Sequence, residues 1–204
     1  MNKSFEKELP SGYKEAFHIN ATDKKIGLIL NGIALLVMLL VMGVAAIPLV
    51  ISGKEISFAF DFGELMIAYA IFFGAMLLYI VLHELTHGAV YKLLTKEKLT
   101  YGISWSCAFC GVPHIYVYRK TALAALVAPL ILFTVILIPV TVILYYVNPI
   151  YYLASAFIFG LHLGGCSGDA YITILLIFKY KTKSLLMKDT GPEQYIYELT
   201  EQEC

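Results

Sequence analysis

Residues Leu65–Val90 read LMIAYAIFFGAMLLYIVLHELTHGAV, a run of 26 residues that is almost entirely apolar until its last turns. It contains no Lys or Arg, and a bilayer core needs about 20 predominantly apolar residues per helix. The stretch therefore predicts a membrane-spanning helix, which we extend to Leu94. Three ionisable side chains lie near its end, and each costs about 2.5 to 3.5 kcal/mol to insert into a membrane. A cation bound by these side chains would offset that cost.

Three further apolar stretches have comparable length and also lack Lys and Arg. Of the 204 residues 59% are hydrophobic and the mean hydropathy is +0.75, so the apolar surface exceeds what a soluble core of this size can bury. We expect an all-α membrane protein with four transmembrane helices. The predicted spans are 26–51, 65–94, 121–147 and 151–178. They form one domain, 26–178, between an N-terminal tail, 1–25, and a C-terminal tail, 179–204.

Basic residues are distributed unevenly between the predicted connecting segments. Fourteen of the fifteen Lys and Arg residues lie in the two tails or between Tyr91 and Lys120, the segment that contains the loop between the second and third spans, and Lys54 is the exception. The positive-inside rule then places both termini and this loop in the cytoplasm. We expect a multi-pass integral cell-membrane protein whose surroundings are the lipid bilayer. The formal net charge of zero gives no reason to expect a nucleic-acid partner.

The loop between the second and third spans is the longest predicted cytoplasmic connection. Its runs Ile103–Phe109 and His114–Tyr118 predict two short strands, because Gly111 and Pro113 separate them. We expect a short β-hairpin-like loop, which either adds an extended substrate segment as a further strand or lies as an amphipathic loop on the membrane. The N-terminal tail contains a Pro-Ser-Gly turn and is expected to have little fixed structure.

The cysteines do not indicate a disulfide framework. Cys107 and Cys110 lie in the predicted cytoplasmic loop, where thiols stay reduced, and we expect them to be free. Together with His114 they supply only three of the four ligands of a structural zinc site. We therefore leave them out of the predicted site.

The second span ends in His83-Glu84-Leu85-Thr86-His87, which is an HExxH motif on a predicted helix. Two histidines four residues apart lie about 6 Å from each other on one helix face. That separation lets both imidazoles reach one zinc ion at about 2.0 to 2.1 Å. Glu84 projects beside them without having to bind the metal. It can act as general base and then general acid toward a water molecule that zinc activates.

A third zinc ligand is expected from the fourth span, where His162 and Asp169 are the candidates. Along ideal helices, His87 and His83 lie about 10 and 16 Å from the cytoplasmic helix ends. Asp169 lies at about 13 Å and His162 at about 24 Å. Depth therefore favours Asp169 as the ligand and makes His162 a residue that supports the ligands or faces the substrate. A tilt or a break in the helix, which the string Gly164–Gly168 makes conceivable, would favour His162 instead.

These residues resemble the site-two protease group of intramembrane zinc metalloproteases. The resemblance is closest to a small family of membrane zincin peptidases, and it lies in Leu82–Gly88, Gly164–Ile172, Asp189–Gly191 and Tyr195–Tyr197. It implies His83, His87 and Asp169 as zinc ligands and Glu84 as the catalytic carboxylate. One departure is that Gly precedes Asp169, where better-studied members carry Asp-Gly.

The sequence thus predicts a membrane-embedded zinc metalloendopeptidase. Its expected substrates are membrane-anchored peptides or proteins, cut near the cytoplasmic face. Two alternatives stay open. One is a catalytically inactive zinc-binding membrane protein that regulates or chaperones another enzyme. The other is a transporter that uses the histidines and carboxylates as a conduction path, against which the lack of an internal repeat argues.

Overall fold

The computed structural model describes residues 3–55, 61–181 and 184–200. In these residues four helices are long and apolar enough to cross a membrane. The helical segments are α1 (Lys24–Ser52), α2 (Phe62–Thr95), α3 (Arg119–Val147), α4 (Pro149–Gly165), α5 (Ser167–Ile174) and a π-helical turn (Leu175–Lys179). The last three follow one another and together form the fourth apolar helix.

Polar side chains cap the first turns of α1, α2 and α4. Asp23 Oδ1 accepts hydrogen bonds from the backbone N–H groups of the second and third residues after it, and so caps α1. Asp61 and Glu64 bond each other's backbone N–H groups, the reciprocal pattern of a capping box, at the start of α2. Asn148 caps α4, whose first residue is a proline. The starts of these helices are therefore set by local chemistry.

The fourth apolar helix is interrupted at Cys166, between α4 and α5. Gly164 and Gly165 precede the interruption, and glycine weakens a helix because it has the most backbone freedom to lose. The sequence made such a break conceivable. Asp169 lies in the first turn of α5, directly after it.

In the part of the chain that the structure describes, seven strands accompany the helices, so the all-α expectation is incomplete. They are β1 (Phe5–Glu6), β2 (Tyr13–Asn20), β3 (Thr100–Ile103), β4 (Ala108–Gly111), β5 (Tyr116–Tyr118), β6 (Leu185–Asp189) and β7 (Glu193–Leu199). Five of them form one antiparallel sheet in the order β1-β5-β6-β7-β2. The sheet joins both predicted tails to the loop between α2 and α3. The expectation of an N-terminal tail with little fixed structure is therefore corrected.

The predicted hairpin is present with different strands. β3 and β4 pair with each other, whereas Tyr116–Tyr118 joins the five-stranded sheet. Ser104–Cys107, which we expected inside a strand, form the turn. The reason is the Ser104 hydroxyl, which accepts the backbone N–H groups of Ser106 and Cys107 and so bends the chain.

The chain divides into two compact units. The first comprises Met1–Leu30, His83–Pro129 and Gly168–Cys204 and contains all seven strands. Its core is formed by apolar side chains of α2, α3, α5 and the large sheet, with Tyr91, Val112, Val117, Leu176 and Ile196 at 0 to 1% exposure. The residues of the HExxH motif and Asp169 all lie in this unit.

The second unit comprises Asn31–Leu82 and Leu130–Ser167. Its buried cluster contains Ala45, Leu49, Tyr152 and Ala156. A side chain on Gly164 would approach the backbone oxygen of Ala34 to 2.5 Å, and one on Gly160 would approach Met38 Cα to 3.2 Å. These two glycines therefore allow α4 to pack closely on α1.

Candidate metal centre

Three side-chain atoms converge in the first unit. His83 Nε2 and His87 Nε2 lie 3.2 Å apart, and Asp169 Oδ2 lies 3.4 and 3.2 Å from them. Four ligands arranged tetrahedrally at about 2.0 to 2.1 Å from zinc would be about 3.3 to 3.4 Å from one another. The three separations thus match one face of such a tetrahedron. The side chains are 9, 9 and 18% exposed, so the group is shielded from solvent.

The hydrogen bonding of His87 fixes which of its nitrogens carries a proton. His87 Nδ1 lies 2.9 Å from the backbone oxygen of Ala125 on α3. A carbonyl oxygen only accepts, so Nδ1 must donate, and Nε2 of the neutral ring then presents its lone pair toward Asp169. A lone pair facing a carboxylate is repulsive unless a cation or a proton lies between them. The arrangement is the one that metal-binding histidines commonly adopt.

Glu84 lies beside this group and is held by strand β4. Its carboxylate accepts a hydrogen bond from the backbone N–H of Cys110. The side chain is half-buried, so it is partly open to a small molecule such as water. Glu84 can therefore accept and return a proton while the strand fixes its orientation.

Tyr101 of β3 packs directly on the helix that carries the motif. A Cβ atom on Gly88 would lie only 1.9 Å from the Tyr101 hydroxyl oxygen, so this contact requires glycine immediately after His87. The hydroxyl also bonds the thiol of Cys110. Burial raises the pKa of Tyr101, so the hydroxyl is protonated at neutral pH. Tyr101 therefore sets how closely β3 lies against the motif helix, and it remains 45% exposed.

Cys110 and Cys107 have different surroundings. Burial raises the pKa of the Cys110 thiol to about 12, which makes it a weak nucleophile and a poor metal ligand. Cys107 is half-buried, next to the Ser104 hydroxyl, and His114 is exposed. None of the three belongs to the group formed by His83, His87 and Asp169.

His162 lies in the second unit and is fully buried. Its Nδ1 is 2.9 Å from the hydroxyl of Tyr79 on α2, and its Nε2 is 3.1 Å from the hydroxyl of Thr134 on α3. One imidazole thus links three helices through hydrogen bonds. This satisfies both ring nitrogens without a metal.

The sequence did not predict a role for Tyr91 or Asp189, which form a buried pair next to the site. Tyr91 donates a hydrogen bond of 2.7 Å to Asp189, and both side chains are buried. The Asp-x-Gly string at Asp189 was recognisable in the sequence, but its partner was not. Tyr91 follows His87 by four residues, and this helical spacing was the available signal.

An HExxH helix whose histidines meet a carboxylate from a second helix is typical of metallopeptidases of the zincin type. The family model described as "Putative zincin peptidase" matches residues 76–185, which is more than half of the chain. The chain belongs to this family of zinc metallopeptidases. A search of curated proteins and a search of solved structures found no match to the chain.

Proposed function

We propose that the chain is a membrane-embedded zinc metalloendopeptidase that cuts membrane-anchored peptides or proteins near the cytoplasmic face. The observation that carries this proposal is the triangle of His83 Nε2, His87 Nε2 and Asp169 Oδ2 with sides of 3.2 to 3.4 Å. We assign these three residues as the zinc ligands, which leaves a fourth position open, as catalytic zinc sites require. An HExxH helix completed by an aspartate from a later helix also supports a relationship to site-two proteases.

Each residue has a definite task in this mechanism. Zinc, when bound, would polarise the scissile carbonyl and lower the pKa of a water molecule to about 7. Glu84 would accept the proton of the attacking water and deliver it to the leaving amine. The N–H of Cys110 keeps the Glu84 carboxylate oriented for both transfers. The carbonyl of Ala125 keeps His87 in the tautomer whose Nε2 can bind the metal.

The membrane setting is supported by the four apolar helices and by the sheet. Side chains along these helices are extensively exposed, for example Leu28 at 73% and Ile71 at 67%, and lipid is the solvent such surfaces favour. Strands before α1, between α2 and α3 and after α5 pair in one sheet. If the helices cross a membrane, all strands of this sheet lie on the same side of the bilayer. The distribution of Lys and Arg supports the cytoplasmic side.

The substrate would have to present an extended segment, because a helix shields its peptide bonds with its own hydrogen bonds. β4 is paired with β3 along one edge, and Cys110 of β4 donates an N–H toward Glu84 on the other. A substrate strand lying along β4 would therefore pass the catalytic glutamate. The N–H groups of Cys110 and Val112 on this edge are already engaged by Glu84 and by the backbone oxygen of Asp189, so a substrate strand would have to displace these bonds.

Metal analysis of the purified protein tests the proposal. We expect about one zinc per chain in wild type and in Glu84→Gln, and loss of stoichiometric zinc in His83→Ala, His87→Ala and Asp169→Ala. His162→Ala is the matched control. It removes a buried histidine of the same helical region and should keep its zinc. Retained zinc in Asp169→Ala would refute the ligand assignment, and zinc loss in His162→Ala would favour His162.

A cleavage assay on a membrane-anchored reporter substrate tests the activity separately. Glu84→Gln keeps the size of the side chain but removes its capacity to accept a proton. We expect it to lower kcat by about 10² to 10⁴ with zinc still bound. If wild type binds zinc but cleaves none of a broad set of membrane-anchored peptides, and Glu84→Gln keeps the biological role, the chain is a zinc-binding regulator instead.

A further inference from the structure

Asp189, which follows residues 76–185 matched by the family model, connects two parts of the candidate site. Its carboxylate Oδ2 accepts the hydrogen bond of Tyr91 on α2 at 2.7 Å, and Oδ1 accepts the N–H of Gly191 at 2.9 Å. Its backbone oxygen accepts the N–H of Val112, the residue that follows β4, at 2.8 Å. The Asp189 side chain is 3% exposed. One residue thus ties the C-terminal hairpin to the motif helix and to the end of β4.

The contacts around the β6–β7 turn leave β4 little freedom to move. A Cβ atom on Gly111, the last residue of β4, would lie 2.3 Å from the backbone nitrogen of Gly191. Gly191 has a φ of +103°, which other residues rarely adopt, and the ring of Phe109 packs on it. Backbone therefore touches backbone between the turn and β4. A shift of Asp189 would move β4 with it.

β4 in turn holds the catalytic glutamate, because Cys110 donates its N–H to the Glu84 carboxylate. Two series of contacts lead from Asp189 to Glu84. One passes through Val112 and Cys110 of the β4 segment, and the other passes through Tyr91 and α2. The position of β4 relative to the helix, and hence the orientation of the carboxylate, depends on the bond between Tyr91 and Asp189.

We propose that Asp189 is a positioning residue for Glu84, acting through its bond to Tyr91 and through β4. This inference rests on the proposed peptidase function of Glu84. Asp189 is not assigned as a metal ligand, because both of its carboxylate oxygens already accept hydrogen bonds within the chain. The C-terminal hairpin of β6 and β7 would then contribute to the arrangement of the site through Asp189.

The first test measures hydrogen exchange of backbone amides in metal-free protein and does not depend on activity. Tyr91→Phe removes the donor to Asp189, and we expect exchange at Cys110 and Val112 to accelerate about tenfold. Tyr180→Phe is the matched control, since Tyr180 is also a buried tyrosine of the first unit and donates its hydroxyl to the backbone oxygen of Ala16. It should leave both amides protected. Unchanged exchange in Tyr91→Phe would overturn the proposal.

The second test measures kcat and KM of zinc-loaded Tyr91→Phe, Asp189→Asn and the double variant. Misplacing a catalytic group by about 1 Å costs roughly 10²-fold, so we expect kcat to fall 10- to 100-fold with KM nearly unchanged. The double variant should resemble the single variants, because all three break the same contact between Tyr91 and Asp189. Wild-type kcat in the folded, zinc-loaded variants, or a change confined to KM, would overturn the proposal. If wild type itself shows no turnover, the peptidase function fails while the exchange result still stands.

Discussion

At the scale of single residues, Gly88 determines how closely strand β3 can approach the motif helix. In Gly88→Ala the new methyl group would overlap the Tyr101 hydroxyl, whose oxygen lies 1.9 Å from the Cβ position. Tyr101 must move, and overpacking of this kind costs about 1 to 3 kcal/mol. We expect a lower free energy of unfolding in detergent and faster alkylation of Cys110, which loses its hydrogen bond to Tyr101.

The control for this substitution is Gly74→Ala in the same helix. Gly74 has no atom within 4 Å of its Cβ position, so an added methyl meets open space. Alanine also favours a helix over glycine by about 1 kcal/mol. We expect Gly74→Ala to leave the free energy of unfolding unchanged or slightly raised. Equal unfolding curves for the two variants would show that Tyr101 does not pack on Gly88 as described.

Asp189 predicts a dependence of stability on pH. Burial raises the pKa of Asp189 to about 6, although Tyr91 and the N–H of Gly191 favour the ionised form. Because the pKa is higher in the folded state than in the unfolded state, folding favours the protonated form. The stabilisation is complete below about pH 4 and is lost as the pH rises through about 6.

This dependence is measured as the difference between wild type and Asp189→Asn in metal-free protein, so that the contributions of other groups cancel. Between pH 4 and pH 7 we expect the free energy of unfolding of wild type to fall by up to about 3 kcal/mol relative to that of the variant, because the pKa of Asp189 is about two units higher in the folded state. A pH-independent difference would contradict the prediction. A variant that is as stable as wild type at neutral pH also separates the positioning role of Asp189 from a purely structural one.

Residues of the HExxH motif were predictable because their chemistry is local. Spacing along one helix places two imidazoles on one face, and the structure brings them to 3.2 Å. Asp169 was favoured over His162 by comparing depths along two helices, and the structure places its Oδ2 3.4 and 3.2 Å from the Nε2 atoms of His83 and His87. The partners Ala125 and Tyr91–Asp189 could not be predicted, since a backbone carbonyl has no sequence signal and Asp189 lies 98 positions from Tyr91.

At the scale of secondary-structure elements, the contact between α1 and α4 depends on glycine. In Gly164→Ala the added methyl would approach the backbone of Ala34 to 2.5 Å, and backbone cannot turn aside as a side chain can. We expect a loss of about 1 to 3 kcal/mol in unfolding free energy. In Gly160→Ala the new methyl group would lie 3.2 Å from Met38 Cα, so the loss of unfolding free energy should be smaller. Gly165→Ala, with nothing within 4 Å, is the control and should be neutral.

The order of losses in these three variants is the decisive result, measured by thermal or denaturant unfolding in the same detergent. A larger loss in Gly165→Ala than in Gly164→Ala would contradict the packing of α4 on α1. The small-residue spacing Gly-x-x-x-Gly that permits this contact is common where helices pack in membranes. It was visible in the sequence, but the partner helix was not.

The helices could be predicted closely and the sheet could not. A run of about 26 apolar residues identifies a helix by itself, whereas a strand of two to eight residues depends on partners elsewhere. β2 pairs with β7, in a register that joins Tyr13 to Leu199 across almost the whole chain. Its sequence alternates poorly because a bulge between Glu15 and Phe17 shifts the register. An N-terminal segment with this pattern therefore suggested no regular structure.

At the scale of the whole molecule, the sheet makes a prediction about sidedness. Strands β2, β5 and β7 come from three segments that the apolar helices separate, yet they belong to one sheet. In a membrane-spanning chain these segments must lie on the same side of the bilayer, and the loop between α1 and α2 on the other.

This sidedness is tested in a cysteine-free background with single cysteines at Lys14, Lys98, Thr200 and Glu55, all of which are exposed. In intact cells, a membrane-impermeant thiol reagent should label only Glu55→Cys, and after permeabilisation it should label all four. Labelling of one or two of the other three in intact cells would mean that the sheet does not form in a membrane-spanning chain, whereas labelling of all three without Glu55→Cys would place an intact sheet on the outer side. The triangle of His83, His87 and Asp169 would then need an explanation other than a site facing the cytoplasm.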